Sequence, residues 1–183
     1  MFSKPSLLST KVQPFRRGNV MEYLVFSVNH EFFGIPVLLV QELSRLYDIY
    51  PVPGHDIRIA GLVNLRGNAV TVIDLFHSLF PGQNQNRTAQ RQKLITLESS
   101  GTLSAQALQY SLHTFADPLL LLVDNLHRVI TLHDNVIEPP PAHLHDSFVD
   151  GVIKDNEQLI TMLSIEKLID SIYTGNGEPN GVP

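Results

Sequence analysis

The chain contains no cysteine and no tryptophan among its 183 residues. Without thiols there is no disulfide frame, no zinc–thiolate centre, no iron–sulfur cluster and no cysteine nucleophile. Charge is sparse at 17% of residues, and no apolar run approaches the ~18 residues that a membrane-spanning helix needs. The opening stretch MFSKPSLLSTKVQPFRRGN lacks the apolar core of a secretory signal. The expectation is a soluble intracellular protein with no direct membrane insertion. Basic charge is scarce beyond the first twenty residues. Lys4, Lys11, Arg16 and Arg17 give residues 1–20 a charge of +4, and nine basic against eighteen acidic residues leave −9 for the rest. Phosphate contacts need clustered Lys and Arg, so an acidic body argues against nucleic acid as a partner. Residues 1–20 read as a flexible, solvated basic extension.

What the chain does have is strand-forming sequence. Glu22-Tyr-Leu-Val-Phe-Ser-Val28, a break at Asn29-His30, and Glu31-Phe-Phe-Gly-Ile35 read as a hairpin. Leu38 to Tyr47 fits either a helix by periodicity or a short turn with a strand from Gln41. Gly61-Leu-Val-Asn-Leu65, a turn at Arg66-Gly67-Asn68 and Ala69 to Leu75 form a second hairpin, followed by a short helix near residues 76–80. Residues 81–93 hold no aliphatic side chain larger than Ala and read as a linker. Strands resume at Lys93–Leu97, Leu119–Val123, Arg128–Leu132, Phe148–Ile153 and Gln158–Leu163, before a helix over Ser164–Tyr173 with Ser164 as N-cap. The polar segment 99–117 reads as a long, partly ordered loop, and 173–183 as a disordered tail.

The two halves repeat. Laid without a gap over residues 151–169, residues 61–79 match Gly61 to Gly151, Thr71 to Thr161, and apolar to apolar at eight positions. The apolar content of the two windows alone would give about five such pairs. Residues 34–43 laid over 120–129 match Ile35 to Leu121, Val37 to Val123, Val40 to Leu126 and Leu43 to Val129, in the same order along the chain. Two related antiparallel units of about five short strands follow. Sheets that small are stabilised by curling into barrels and docking on each other.

Signatures of catalysis are missing. There is no Gly-x-Ser-x-Gly, Walker loop, His-Glu-x-x-His or dinucleotide fingerprint. His143-x-His145, with His133 and Asp146 nearby, has ligand-like spacing, but such loop pairs are more often solvated than metallated. No metal or cofactor is expected. Asp74 fits a cap for the turn into Phe76-His77 better than a buried catalytic acid. The informative feature is the turn itself. Arg66 is the lone cation between strands of Leu, Val and Ile. It must therefore reach water, pair with a carboxylate such as Glu42, or bind a partner. Gly67 suits the left-handed backbone of a tight turn.

These residues resemble the CheW family of chemotaxis coupling proteins. The matching stretches are Glu22-Tyr-Leu-Val-Phe-Ser-Val28, Phe33-Gly34-Ile35, Val40-Gln41-Glu42, Pro53 with Ile59-Ala-Gly61, and above all Gly61-Leu-Val-Asn-Leu-Arg-Gly67 with Val72-Ile-Asp-Leu75. Leu122-Val-Asp124, Val129 and Gly151-Val-Ile153 match more loosely, so the resemblance covers about residues 21–172. It implies an all-β fold of two pseudo-symmetric, intertwined five-stranded barrels with a few short helices. The first barrel would take about residues 21–80, the linker 81–93 and the second barrel about 94–172, with strand exchange between them allowed for. It implies no catalysis and no cofactor. The family's role is to join a CheA-type histidine kinase, through the kinase's regulatory domain, to the cytoplasmic helical tip of chemoreceptors in membrane-associated arrays. Position by position, Val40, Glu42 and Arg66 fall on or beside the receptor groove. Asn64 and Gly67 belong to the same motif and are better read as turn geometry, and kinase-facing residues are not assigned by the resemblance.

Three departures stand out. Segment 99–117 is longer than the family's usual connection, Ser164 stands where an acid like Asp74 is common, and Lys154-Asp-Asn-Glu157 replaces a more apolar turn. They suggest a retained receptor side and a specialised kinase side. The alternative is a protein that has lost one partner and acts as a competitor or a ligand-sensing component; a hydrolase built on Asp74 or His143/His145 is a distant third.

Overall fold

The computed structural model describes residues 20–45, 47–83, 92–133, 136–140, 142, 148–155 and 157–174. Ten strands dominate it: β1 (Val20–Val28), β2 (Glu31–Pro36), β3 (Val40–Arg45), β4 (Ile59–Leu65), β5 (Asn68–Asp74), β6 (Lys93–Leu97), β7 (Leu119–Val123), β8 (Asn125–His133), β9 (Val149–Asp155) and β10 (Gln158–Leu163). Three helices join them: α1 (Leu75–Leu79), α2 (Ala105–Gln109) and α3 (Ile165–Thr174). The strands form two five-stranded sheets, ordered β8-β1-β2-β10-β9 and β3-β6-β7-β5-β4.

Strand order shows the repeat directly. Replacing β1 to β5 by β6 to β10, and the reverse, turns one sheet order into the other. Each sheet takes two strands from one half of the chain and three from the other. The sequence repeat follows the halves at 21–80 and 94–172, while each sheet draws strands from both halves. The exchange is made by two parallel pairings, β10 on β2 and β5 on β7.

Burial explains why the central strands are so apolar. In β1, Met21, Tyr23 and Val25 point into the interior of the first sheet with Ile153, Ile160 and Met162. Alternate residues Leu24, Phe26 and Val28 point into a core shared between the sheets. β7 divides likewise: Leu120 and Leu122 join Val63, Val70, Val72 and Leu94 inside the second sheet, while Leu119, Leu121 and Val123 enter the shared core. A strand buried on both faces must be apolar at every position, as Leu119–Val123 is. α1 and α3 close the shared core with Leu75, Phe76, Ile165, Leu168, Ile169 and Ile172.

The caps fall where the sequence places them. Asp74 accepts a bond from the Phe76 N–H at 2.8 Å and starts α1; the Lys167 N–H points to the Ser164 Oγ at 3.4 Å at the start of α3. One open reading is decided and two local readings change. A 3-10 turn at Val37–Leu39 leads into strand β3, so no helix covers Leu38–Tyr47; pairing with β6 decides between the two patterns. Segment 99–117 contains α2, capped by Ser104, whose Oγ accepts from the Ala107 N–H at 3.1 Å. Tyr173 is helical and stacks on Phe115 rather than belonging to a tail. The expectations for residues 1–19, the linker core 84–91, His143, His145 and 175–183 lie outside the described residues.

Candidate functional site

The β4–β5 hairpin closes through two residues, with Leu65 paired to Asn68. Arg66 has φ 55° and Gly67 φ 89°, the two positive values that a type I′ turn requires. Asn64 stabilises the bend, its Oδ1 accepting from the Gly67 N–H at 2.8 Å. Nothing lies within 4 Å of where a Gly67 Cβ would stand, so this glycine serves conformation, not clearance. Arginine is a poor choice for a left-handed position, costing about 1–2 kcal/mol. That strain puts a guanidinium at the tip with 74% of its side chain exposed.

Arg66 Nη2 donates to Glu42 Oε2 at 2.7 Å. Glu42 sits on β3 and Arg66 at the end of β4, the two opposite edges of one sheet. The sheet must therefore curl until its edges face each other, and the ion pair spans that seam. The two hairpins at 22–35 and 61–75 do not share a sheet; the pair forms because β3 crosses to the second one. A bulge at Gln41, between the Val40–Leu97 and Glu42–Thr96 pairings, precedes the acid. Val40 is half-buried against the shared core, and the neighbouring Leu43 is 45% exposed. Val40, Glu42, Arg66, Asn64 and Gly67 thus lie along one seam.

The other barrel has the same seam with its charges reversed. Carried through the overlay of 34–43 on 120–129, Glu42 falls on Arg128 and Gln41 on His127. Arg128 Nη2 donates to Asp155 Oδ2 at 2.6 Å, joining edge strand β8 to edge strand β9. A bulge again precedes the charged residue, here at His127, between the Val25–Arg128 and Phe26–Leu126 pairings. Val129, the counterpart of Leu43, is 52% exposed. One seam carries an acid on β3 and a base on the β4–β5 turn; the other carries a base on β8 and an acid at the end of β9. The overlay contained only the Glu42-to-Arg128 half of this inversion, since it sets Arg66 on Asn156 and Leu65 on Asp155, and it has meaning only once the pairs are seen to bridge barrel edges.

The polar groups around α1 and the loop before β4 are held by structural contacts. Buried Asp74 also lies 3.0 Å from His77 Nδ1, and Ser78 donates its hydroxyl proton to the Asp74 carbonyl, four residues back. The serine is therefore bonded to main chain, not set as a nucleophile against His77. Arg58 bonds to Asp56 and donates to the Ser171 carbonyl at 3.1 Å, tying the loop before β4 to α3. That contact with Arg58 holds the Asp56 carboxyl below its ordinary value and raises Arg58. Among the described residues no three His, Asp or Glu side chains cluster as metal ligands, and no helix is long and apolar enough to cross a membrane.

The described architecture agrees with known proteins. The family model for the CheW-like domain matches residues 22–173. The chemotaxis protein CheW of Treponema pallidum is 23% identical over 174 residues, covering 93% of this chain and 95% of that protein. The Klebsiella aerogenes chemotaxis protein CheW is 25% identical over 153 residues, covering 82% of each. Among solved structures, the scaffolding protein TtCheW from Thermoanaerobacter tengcongensis superposes with a TM-score of 0.67 at 26% identity, covering 86% of this chain and 95% of that one. Two exchanged five-stranded sheets, a seam marked by Val40, Glu42 and the Asn64–Gly67 turn, and a family match across the whole two-barrel unit lead to one conclusion: the chain belongs to the CheW family of chemotaxis coupling proteins.

Proposed function

We propose that the protein is a non-enzymatic adaptor that couples chemoreceptors to a CheA-type histidine kinase, at the cytoplasmic side of membrane-associated receptor arrays. The receptor's helical tip would lie along the Val40–Glu42–Arg66 seam, and the kinase's regulatory domain would bind elsewhere. One observation carries this reading. A strained backbone at the hairpin tip presents Arg66, 74% exposed, where an Asn or Gly would be favoured and a surface ion pair alone offsets only about 0–1 kcal/mol. Strain without a matching gain in stability points to a role outside folding. Individually modest contacts suffice in an array, because effective concentration supplies avidity, and small shifts at the contacts bias the kinase equilibrium.

The test is Arg66→Glu. The circular dichroism melt should stay within a few degrees of wild type, while co-sedimentation with receptor cytoplasmic fragments should be lost; normal co-sedimentation removes Arg66 from the interface. A second reading, a receptor binder that has lost the kinase, is favoured by the reversed charges at Arg128 and Asp155. Pull-down with the kinase regulatory domain separates the two, since a receptor-only binder does not retain it.

A further inference from the structure

Two hydroxyls with nothing to bond lie on the strands that carry Glu42. Thr96 Oγ1 and Ser44 Oγ are both buried, and neither has a hydrogen-bond partner among the described residues. Thr96 lies wholly inside the protein, at 0% exposure. Register places both groups. Glu42 pairs with Thr96, and Ser44 with Leu94, across β3 and β6. Paired residues point to the same side of a sheet, as do residues two apart on one strand. Thr96 pairs in turn with Leu120 on β7, and Leu94 and Leu120 both belong to the interior cluster of the second sheet. Glu42, Ser44 and Thr96 therefore leave their strands on the same, inward side. Facing residues on antiparallel strands have Cβ atoms about 4.5–5.5 Å apart, within the span of a glutamate side chain. The hydroxyls thus lie beside the root of the acid whose carboxylate reaches Arg66 at 2.7 Å.

The other barrel is built without hydroxyls at these places. Arg128, the counterpart of Glu42, pairs with Val25. One step further along the same overlay Ser44 falls on Ile130, which pairs with Tyr23. Val25 and Tyr23 belong to that barrel's core, and Ile130 packs against it. Valine matches threonine in shape with a methyl in place of the hydroxyl, so packing alone does not call for Thr96. A buried hydroxyl without a partner costs stability. The hydroxyls accompany the strand charge that accepts hydrogen bonds, and they are replaced by apolar groups beside the guanidinium, which accepts none.

Resting on the adaptor reading, we infer that Ser44 and Thr96 are positioning residues of the partner seam, offering the Glu42 carboxylate a second resting place. In one arrangement Glu42 holds Arg66. In the other it turns inward, accepts hydrogen bonds from the Ser44 and Thr96 hydroxyls, and leaves the Arg66 guanidinium to an acidic side chain of the receptor helix. Little is lost in the exchange, because an exposed ion pair contributes little and charge-assisted hydrogen bonds replace it. Glu42, with 34% of its side chain exposed, has already given up much of its water. Arg66, 74% exposed on its two-residue turn, has room to face outward. A partner carboxylate binds the second arrangement better than the first and so shifts the population toward it.

Quantitative co-sedimentation of the full chain with a chemoreceptor cytoplasmic fragment, beside thermal melts, tests this. Thr96→Val and Ser44→Ala together remove both hydroxyls. Affinity is expected to fall about tenfold or more, the size of one lost hydrogen bond to a charged group, while the melt holds or rises. Thr96→Val alone should move both readouts in the same directions. Thr96→Ser keeps the hydroxyl and loses a methyl, so its melt should fall while its affinity stays within twofold of wild type. Binding and stability thus rank Val and Ser in opposite orders, which a packing defect does not produce. Affinity within twofold in the variant lacking both hydroxyls, or equal losses for Thr96→Ser and Thr96→Val, overturns the inference and leaves the adaptor reading standing. A melt lowered by Thr96→Val means that the hydroxyl is already bonded, and overturns it likewise. Failure of the wild-type chain to co-sediment overturns both.

Discussion

Gly61 and Gly67 lie on one hairpin, yet each is glycine for a different reason. Gly61 follows a bulge at Ala60 and has φ 145°; an added Cβ would lie 2.3 Å from the Tyr50 carbonyl oxygen, which accepts from the Leu62 N–H. Gly67 has open space around it and needs only its positive φ. Gly67→Ala should therefore cost about 1–2 kcal/mol. Gly61→Ala should cost more, about 2–5 kcal/mol, because strain and backbone collision add. Thermal melts check the order: at about 2–4 °C per kcal/mol for a chain this size, Gly61→Ala should melt distinctly lower. Equal melting points would mean that the strap at Tyr50 yields. Gly151 repeats the arrangement under Ile137 and Glu138, whose carbonyl oxygen would lie 2.6 Å from the added carbon. The match of Gly61 to Gly151 was legible in the sequence, but its cause was not, since the strap comes from residues with no recognisable pattern of their own.

At the scale of elements, strands and caps were readable because each rests on local chemistry: apolar continuity in Leu119–Val123, the Asp74 cap, the Asn29–His30 break, both of whose residues have positive φ. Helix α2 was not, because its five good helix formers, Ala-Gln-Ala-Leu-Gln, are too short a run to show a periodic apolar face, and only a Ser104 cap and one buried Ala107 mark it. The paired bulges at Gln41 and His127 were also hidden, since a bulge is a property of two strands in register. The second bulge sets up a titration. His127 Nε2 lies 3.0 Å from buried Ser27 Oγ, and its ring packs 5.0 Å from Phe32. Burial, then the adjacent Arg128 charge, hold its pKa below the ordinary 6.5. A depressed imidazole binds protons more readily in the unfolded chain, so its contribution to stability is complete above about pH 6.5 and lost as pH falls toward the folded-state value. Proton NMR of the histidine Cε1–H signals should show His127 titrating below the unfolded-state value, and His127→Phe should flatten the pH dependence of the melt between pH 5 and 7 (about one proton's worth). A midpoint above 6.5 would contradict the packing described.

For the molecule as a whole, the exchange of strands makes each half dependent on the other. Residues 20–83 contain β1 and β2 of one sheet and β3 to β5 of the other, with no complete barrel between them. A chain cut within residues 84–91 should give fragments that are unfolded apart and that recover the β-sheet circular dichroism signal on mixing. Two fragments that fold alone would show that the halves are autonomous barrels. The repeat was visible in the sequence because apolar periodicity survives in both halves. The exchange was not, because no residue encodes which of two equivalent sheets a strand will enter; that depends on the parallel pairs β2–β10 and β5–β7.

The central claim, that the Glu42–Arg66 seam serves a partner beyond its small contribution to the fold, is tested most directly by swapping its charges. The Glu42→Arg, Arg66→Glu double variant keeps an ion pair across the seam but gives it the polarity found at Arg128 and Asp155. Its affinity for a receptor cytoplasmic fragment would be measured beside its melt. We expect a melt within about 1 kcal/mol of wild type and a loss of binding as complete as in Arg66→Glu alone. Wild-type affinity in the swapped protein would mean that the seam only closes a barrel.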